Sequence, residues 1–204
     1  MIKLFGNPVS TCTRKVLMTL AETNTPFEHA TIDIMKGEHK GDEHVRRQPF
    51  GRIPAIEDGD FKLFESRAIC RYIARKVGSD ILPTDLRTFA KTEQWISIET
   101  SEFSGHAMKF IYQYVMKREQ DAAALEAAGK ALEVTCAAME KQLASTPFLA
   151  GSAFTLADVC FMPYIEYAMA SPVKEMIAKN PHVSSWWNKI SERPTWQRAT
   201  GKAG

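Results

Sequence analysis

Cysteine is scarce in this chain: four in 204 residues, at positions 12, 70, 136 and 160, with no CxxC pair and no histidines at zinc spacing. That excludes a disulfide framework and a zinc module, and it points to reduced thiols in the cytoplasm and to no metal site. Net charge is nearly absent too, since 26 Lys and Arg face 24 Asp and Glu for a balance of +2. The charges divide evenly between the two halves, so neither half is a basic nucleic-acid surface nor an acidic tail. No apolar run approaches the roughly 20 residues of a membrane span. Met1 runs almost directly into IKLF and then a polar turn, which leaves no room for a signal-peptide core. Internal repeats and low-complexity tracts are missing as well.

What is present is an ordinary globular composition, 45% hydrophobic and 25% charged, enough for one large domain or two small ones. The first 80 residues mix strand and helix signals. IKLF is a short β-rich run, and a helix starting near Thr11 continues through Val16 to Thr23. FEHATIDI, residues 27–34, alternates as a strand does. AIEDGDFKLF reads as strand, turn, strand, with Asp58-Gly59 as the hairpin signal. ESRAICRYIARKVG then offers an apolar stripe of Ile69, Tyr72, Ile73 and Val77, with Gly78 suited to the position after the helix. The order β-α-β followed by β-β-α is that of a thioredoxin-like α/β domain.

The stretch SDILPTDL, residues 79–86, has the turn chemistry of a linker, set at 81–87 between a domain over 1–80 and an all-α domain over 88–204. In the second domain Leu125, Ala128, Leu132, Cys136, Met139 and Leu143 recur every three or four residues, one face of a long helix. FTLADV carries a capping box of Thr155 and Asp158, with Phe154 and Val159 as its hydrophobic staple. NPHVSSWWNKI offers Asn180 as N-cap, Pro181 in the first turn, and a stripe of Val183, Trp187 and Ile190.

Several short constellations are candidates for chemistry. In NPVSTCTRKV, Ser10, Thr11 and Cys12 lie where a strand hands over to a helix, so free amides and the positive helix end converge on them. Ser10 or Thr11 would serve equally as an ordinary helix cap, with Cys12 in the first turn. QPFGRIPAI, residues 48–56, is a rigid turn in which Ile53-Pro54 suits a cis peptide. It reads either as a loop leading into the third strand or as an exposed Ile53 backbone able to pair with a peptide-like ligand. In FESRAI, Glu65 and Ser66 open a helix. Ser66 is the expected N-cap, while the same place would accept a carboxylate with Glu65 facing an ammonium group. His39-Lys40 is a positive pair in a polar loop.

Taken together and in this order, these stretches resemble the cytosolic glutathione transferases, most closely the phi class and its bacterial relatives. KLFGNPVSTCTRKVLMTLAE, DIMKGEHK, QPFGRIPAIEDGDFKLFESRAICRYIA, FLAGSAFTLADV and PHVSSWWNKISERP carry the resemblance over nearly the whole chain. It implies a thioredoxin-like glutathione-binding domain followed by an all-helical one. It implies that Ser10 is the catalytic serine, donating a hydrogen bond to the glutathione sulfur. Ile53, ahead of Pro54, would pair with the cysteinyl residue. Glu65 and Ser66 would hold the γ-glutamyl end, and His39 and Lys40 the glycine carboxylate. Phe50 matches an aromatic of the family's dimer contact. Arg52 departs from the Gln or Lys common at its position and adds attraction for a carboxylate.

The activity implied is attack of the glutathione thiolate on an apolar electrophile, or reduction of an organic hydroperoxide, in a cytoplasmic homodimer. Glutathione is then a co-substrate and no cofactor is needed. The electrophile is expected between the domains, with Phe103, His106 and Phe110 on one side and Pro8 and Val9 on the other. Two rivals keep the fold: a Cys12-dependent thiol transferase or dehydroascorbate reductase, and a non-catalytic ligand-binding protein. Cys12 lies two positions beyond the catalytic serine and is expected to face away from the glutathione sulfur.

Overall fold

The computed structural model describes residues 1–201 and divides into two compact units, the first formed by Met1–Leu82 together with the C-terminal stretch from Pro194, the second by Pro83–Arg193. The first unit is built on a four-stranded sheet. Strand β1 (Ile2–Gly6) leads through helix α1 (Thr11–Glu22) to β2 (Phe27–Thr31), which runs parallel to it. A 3-10 turn at Glu38–Lys40 and the short helix α2 (Asp42–Val45) follow. The hairpin β3 (Ala55–Asp58) and β4 (Phe61–Phe64) and helix α3 (Ser66–Lys76) complete the order β2-β1-β3-β4. β3 is antiparallel to both its neighbours, as a thioredoxin-like sheet requires.

The local reasons are legible. Gly6, the last residue of β1, leaves room for Thr13: a Cβ there would sit 2.7 Å from the Thr13 methyl. The second strand is shorter than the alternation of 27–34 suggests. Ile32 still donates to the Gly6 carbonyl at 3.0 Å, and beyond it Asp33 turns the chain by accepting from the amides of Met35 and Lys36. The hairpin pairs Asp58 with Phe61, so the two-residue loop is Gly59-Asp60, with Gly59 at φ +65. In α3 the core face is Ile69, Cys70, Ile73 and Ala74. Tyr72 and Val77 depart from the expected stripe. Tyr72 turns outward to donate to Asp58 Oδ2 at 2.7 Å, and Val77 is exposed at the helix end, followed by Gly78 at φ +64. Arg47 ties α2 to the sheet by donating to Glu57 at 2.9 Å while its guanidinium lies 4.1 Å from the Phe5 ring centre.

The second unit is helical throughout. Helices α4 (Leu86–Ile98) and α5 (Ser104–Phe110) join through a π-type turn at Glu99–Phe103, and another follows at Ile111–Val115. A π turn frees backbone carbonyls from the helical ladder. Thr135, on α6 (Ala122–Leu143), captures that of Glu102 at 3.0 Å. α7 (Leu156–Ala168) is the buried centre, and α8 (Val173–Ala178) and α9 (Pro181–Ser191) close the unit. Its capping box forms as expected, with Phe154 and Val159 both buried. Asp158 does more than cap: it accepts from Thr155 N, Leu149 N and Trp186 Nε1 at 2.9, 3.1 and 2.9 Å. Burial pushes its carboxyl pKa up, and these donors oppose the shift.

Two details differ from the sequence-based expectation for the helices. Asn180 stands before α9 but donates to Met176 O, and Glu140 of α6 takes the amides of His182 and Val183, each at 3.0 Å. The last helix, α10 (Pro194–Thr200), continues the helical run in sequence but packs on α1, with Thr195 bonded to Glu22. Among the described residues no helix is long and apolar enough to cross a membrane.

Candidate active site

Ser10 is the N-cap of α1, and its Oγ accepts from Thr13 N at 3.3 Å. That bond uses a lone pair, so the hydroxyl proton remains able to donate elsewhere. The loop carrying it is held by Asn7, a residue the sequence reading passed over. Asn7 donates through Nδ2 to Ile32 O at 3.1 Å, and accepts from Val9 N at 3.1 Å. Its carbonyl takes Ser10 N at 2.9 Å, and Arg14 Nε donates to Pro8 O at 2.7 Å. Asn before Pro was the available signal, since that pair initiates turns. Pro8 and Val9 are exposed beside Ser10.

A second loop leads into β3, whose first residue pairs with Phe5 near the end of β1. Ile53-Pro54 is cis. Pro54 is buried and Ile53 half-buried, directly ahead of β3. Glu65 occupies the N-cap position of α3 with φ +70, a left-handed conformation that favours glycine, and makes no side-chain cap bond. Ser66 is therefore the first helical residue rather than the expected cap. It is buried, at 4% exposure, and the first amides of α3 have no intrahelical acceptor.

The second loop and the start of α3 border one cavity of about 160 Å³, lined by Cys12, Gln48, Arg52, Ile53, Pro54, Glu65, Ser66 and Arg67; from the start of α1 it takes in Cys12 but not Ser10, Pro8 or Val9. The walls combine a backbone edge, an uncapped helix start, two guanidinium groups and one carboxylate. That combination suits a small peptide-like ligand with a free amine and a carboxylate. Gln48 and Arg67 were missed as site residues although both sit inside the quoted motifs. Cys12, expected to face away from the sulfur, lines this same cavity. None of the four cysteines is in a disulfide, and burial pushes the thiols of Cys70 and Cys136 up to about 11, which leaves them inert.

The other sequence candidates divide. Lys40 lies on the 3-10 turn and reaches Phe50 O at 3.5 Å, beside the Arg52 loop but not in the cavity wall. His39 is half-buried on the same turn. Phe50 is 63% exposed, with its ring edge-on to Phe64. Phe103 and Phe110 are corrected: both are buried core residues of the second unit. Phe103 packs 5.0 Å from Phe161 and Phe110 stacks on Tyr114, because helical spacing alone cannot tell a core face from a ligand face. His106 lies between them, half-buried.

Comparison with known proteins identifies the family. Residues 1–75 match the model of the glutathione S-transferase N-terminal domain, and residues 104–194 that of the C-terminal domain. Glutathione S-transferase F6 of Arabidopsis thaliana is 38% identical, over 97% of this chain and 98% of that protein. The crystal structure of glutathione transferase F7 from Populus trichocarpa superposes with a TM-score of 0.93 at 34% identity, covering 100% of both chains. Maize glutathione S-transferase I, solved with an atrazine glutathione conjugate, gives 0.90 at 30% identity, over 98% of this chain and 96% of that one. A mixed four-stranded unit, an all-helical unit, both domain models and full-length similarity make this chain a member of the glutathione S-transferase family, in its phi-class-like branch.

Proposed function

We propose that this chain binds glutathione in the cavity beside α3 and uses Ser10 to stabilise its thiolate for attack on apolar electrophiles. The observation that carries the reading is the gathering of Ile53, Glu65, Ser66 and Arg52 around one cavity in a chain of this family. The Ile53 backbone pairs with the cysteinyl residue. Glu65 takes the γ-glutamyl ammonium, while Ser66 and the open amides of α3 take its carboxylate. Lys40, His39 and Arg52 supply positive charge for the glycine carboxylate. The glutathione conjugate bound to the maize relative supports the same use of the fold.

A free thiol has a pKa near 8.5, so only a few per cent is thiolate at neutral pH. Lowering it by about 2 units takes roughly 2.7 kcal/mol of preferential thiolate stabilisation. A hydroxyl bond to a charged sulfur is worth about 1.5–3 kcal/mol, and the start of α1 contributes part of the remainder. With an aryl halide, sulfur bonds to the ring carbon, halide leaves with the bonding pair, and the thiol proton passes to solvent. Ser10 is a stabiliser, not a nucleophile. The nucleophile arrives with the co-substrate, and no resident cofactor takes part. We place the reaction in a cytoplasmic homodimer, for which the exposed Phe50 offers a contact, with Pro8 and Val9 beside the electrophile.

The test is a glutathione-dependent panel of aryl halides, isothiocyanates, hydroperoxides and mixed disulfides. Ser10→Ala is expected to lower kcat/KM for conjugation by about 10- to 100-fold. Ser10→Asp keeps a helix-cap acceptor and sets a negative charge at the sulfur, so it is expected to restore stability without restoring activity. Cys12→Ala is expected to conjugate normally. Loss of activity in Cys12→Ala with retention in Ser10→Ala would instead make this a cysteine-dependent thiol transferase, which the place of Cys12 in the cavity wall keeps as the second reading.

A further inference from the structure

We propose that His44 and Gln48 are positioning residues for glutathione, acting through the peptide unit that precedes the cis-proline; this rests on the glutathione site inferred above. His44 lies on α2 and Gln48 just beyond it, and they are 2% and 1% exposed. His44 Nε2 lies 2.7 Å from Arg52 O, and Gln48 Oε1 accepts Arg52 N–H at 3.0 Å. Both backbone polar groups of one loop residue are thus held by buried side chains, although the Arg52 side chain itself is exposed. The residues holding them are themselves tied together, since Gln48 N donates to His44 O at 2.9 Å and Gly51 N to Gln48 O at 3.0 Å.

The consequence follows from peptide planarity. Arg52 C=O and Ile53 N–H belong to the same peptide plane, and in a trans peptide they point in opposite directions. A bond that fixes the Arg52 carbonyl toward His44 therefore aims the Ile53 amide away from His44, and that amide is the group assigned to pair with the cysteinyl residue. Because a carbonyl only accepts, Nε2 is the donor in this bond, while Nδ1 is buried without a partner. An unsatisfied buried polar atom carries a cost, and water would satisfy a carbonyl on an exposed loop without it. Here the cost is matched by preorganisation: the loop does not have to lose rotational freedom when glutathione docks.

The experiment compares His44→Phe, His44→Gln, Gln48→Leu and Gln48→Glu with wild type, measuring kcat and glutathione KM in aryl halide conjugation and glutathione affinity by calorimetry. His44→Phe and Gln48→Leu are expected to raise glutathione KM and Kd by about 5- to 10-fold, the loss of one hydrogen bond, with kcat at saturating glutathione within about two-fold of wild type. His44→Gln places an amide donor where Nε2 lies, and Gln48→Glu keeps the acceptor oxygen, so each is expected to recover most of the loss. A merely structural role predicts a smaller folded fraction, seen as lower kcat at unchanged KM. That result, or wild-type KM in both apolar variants, overturns the proposal. Should His44→Phe not fold, Gln48→Leu against Gln48→Glu decides alone. A wild-type protein that neither binds nor uses glutathione overturns the functional reading as well, and that arm is read before any variant.

Discussion

Two helix starts in this protein place a carboxylate and a hydroxyl within a few residues of each other, and they use them in opposite ways. At α7, Thr155 and Asp158 close a complete capping box deep in the second unit, and Asp158 also gathers Leu149 N and Trp186 Nε1. At α3, Glu65 and Ser66 leave the amides uncapped at the wall of a cavity. The first arrangement satisfies itself and holds helices together. The second carries no side-chain cap bond from its N-cap residue and faces a cavity instead. A closed helix start contributes stability, whereas an open one offers a binding site, and residue type alone does not separate them.

The largest effect expected from breaking this contrast is at the closed end. Asp158→Ala leaves several buried donors without an acceptor and is expected to cost at least about 3 kcal/mol in denaturant unfolding, while the folded protein keeps its glutathione KM. The open end is expected to behave in reverse. Glu65→Gly relieves a left-handed φ, so stability holds or rises by up to about 1 kcal/mol, while glutathione affinity falls about ten-fold with the lost ammonium partner. Equal stability losses in the two variants would erase the distinction.

A smaller effect sharpens the contrast through pH. Asp58, near the surface of the first unit, is held below its ordinary 3.8 by the hydrogen bonds from Lys76 and Tyr72. Its stabilisation is present above 3.8 and is lost as pH falls through the depressed folded value. Asp158 has the opposite sign: burial raises its pKa, so its contribution is greatest in acid and declines as pH rises through the raised value. Unfolding measured from pH 7 downward should therefore show a flatter acid limb in Asp58→Asn than in wild type. An unchanged limb would remove Asp58 from the acid response.

Much of the local structure was legible from residue order alone. The capping box, the hairpin and the α6 face follow from spacing, because each depends on residues two to four apart along the chain, whereas QPFGRIPAI only suited a cis Ile53-Pro54 that the structure supplies. Ser10, Ile53 and Glu65-Ser66 sit at element ends, where short patterns mark exposed backbone groups, but spacing alone read each equally as a cap or a loop, and only the family resemblance assigned them to a ligand. Errors arose where a side chain chose between two faces. Phe103 and Phe110 share a helical stripe with His106, yet both rings are core.

Neighbours along the chain settle the β-α-β, β-β-α order of the first unit and the helical character of the second, since propensity and capping act over a few residues. Which distant groups meet is settled by packing. It brought Glu140 to the amides of α9 across some forty residues, made Asp158 the acceptor for Trp186, and set Asn7 to brace the Ser10 loop through Ile32. It also put Cys12 in the cavity and left the N-cap of α3 to Glu65 at φ +70 rather than to Ser66. A hydrogen bond between distant residues depends on where packing carries them, and the orientation of a side chain is fixed by the neighbours that exclude the alternatives.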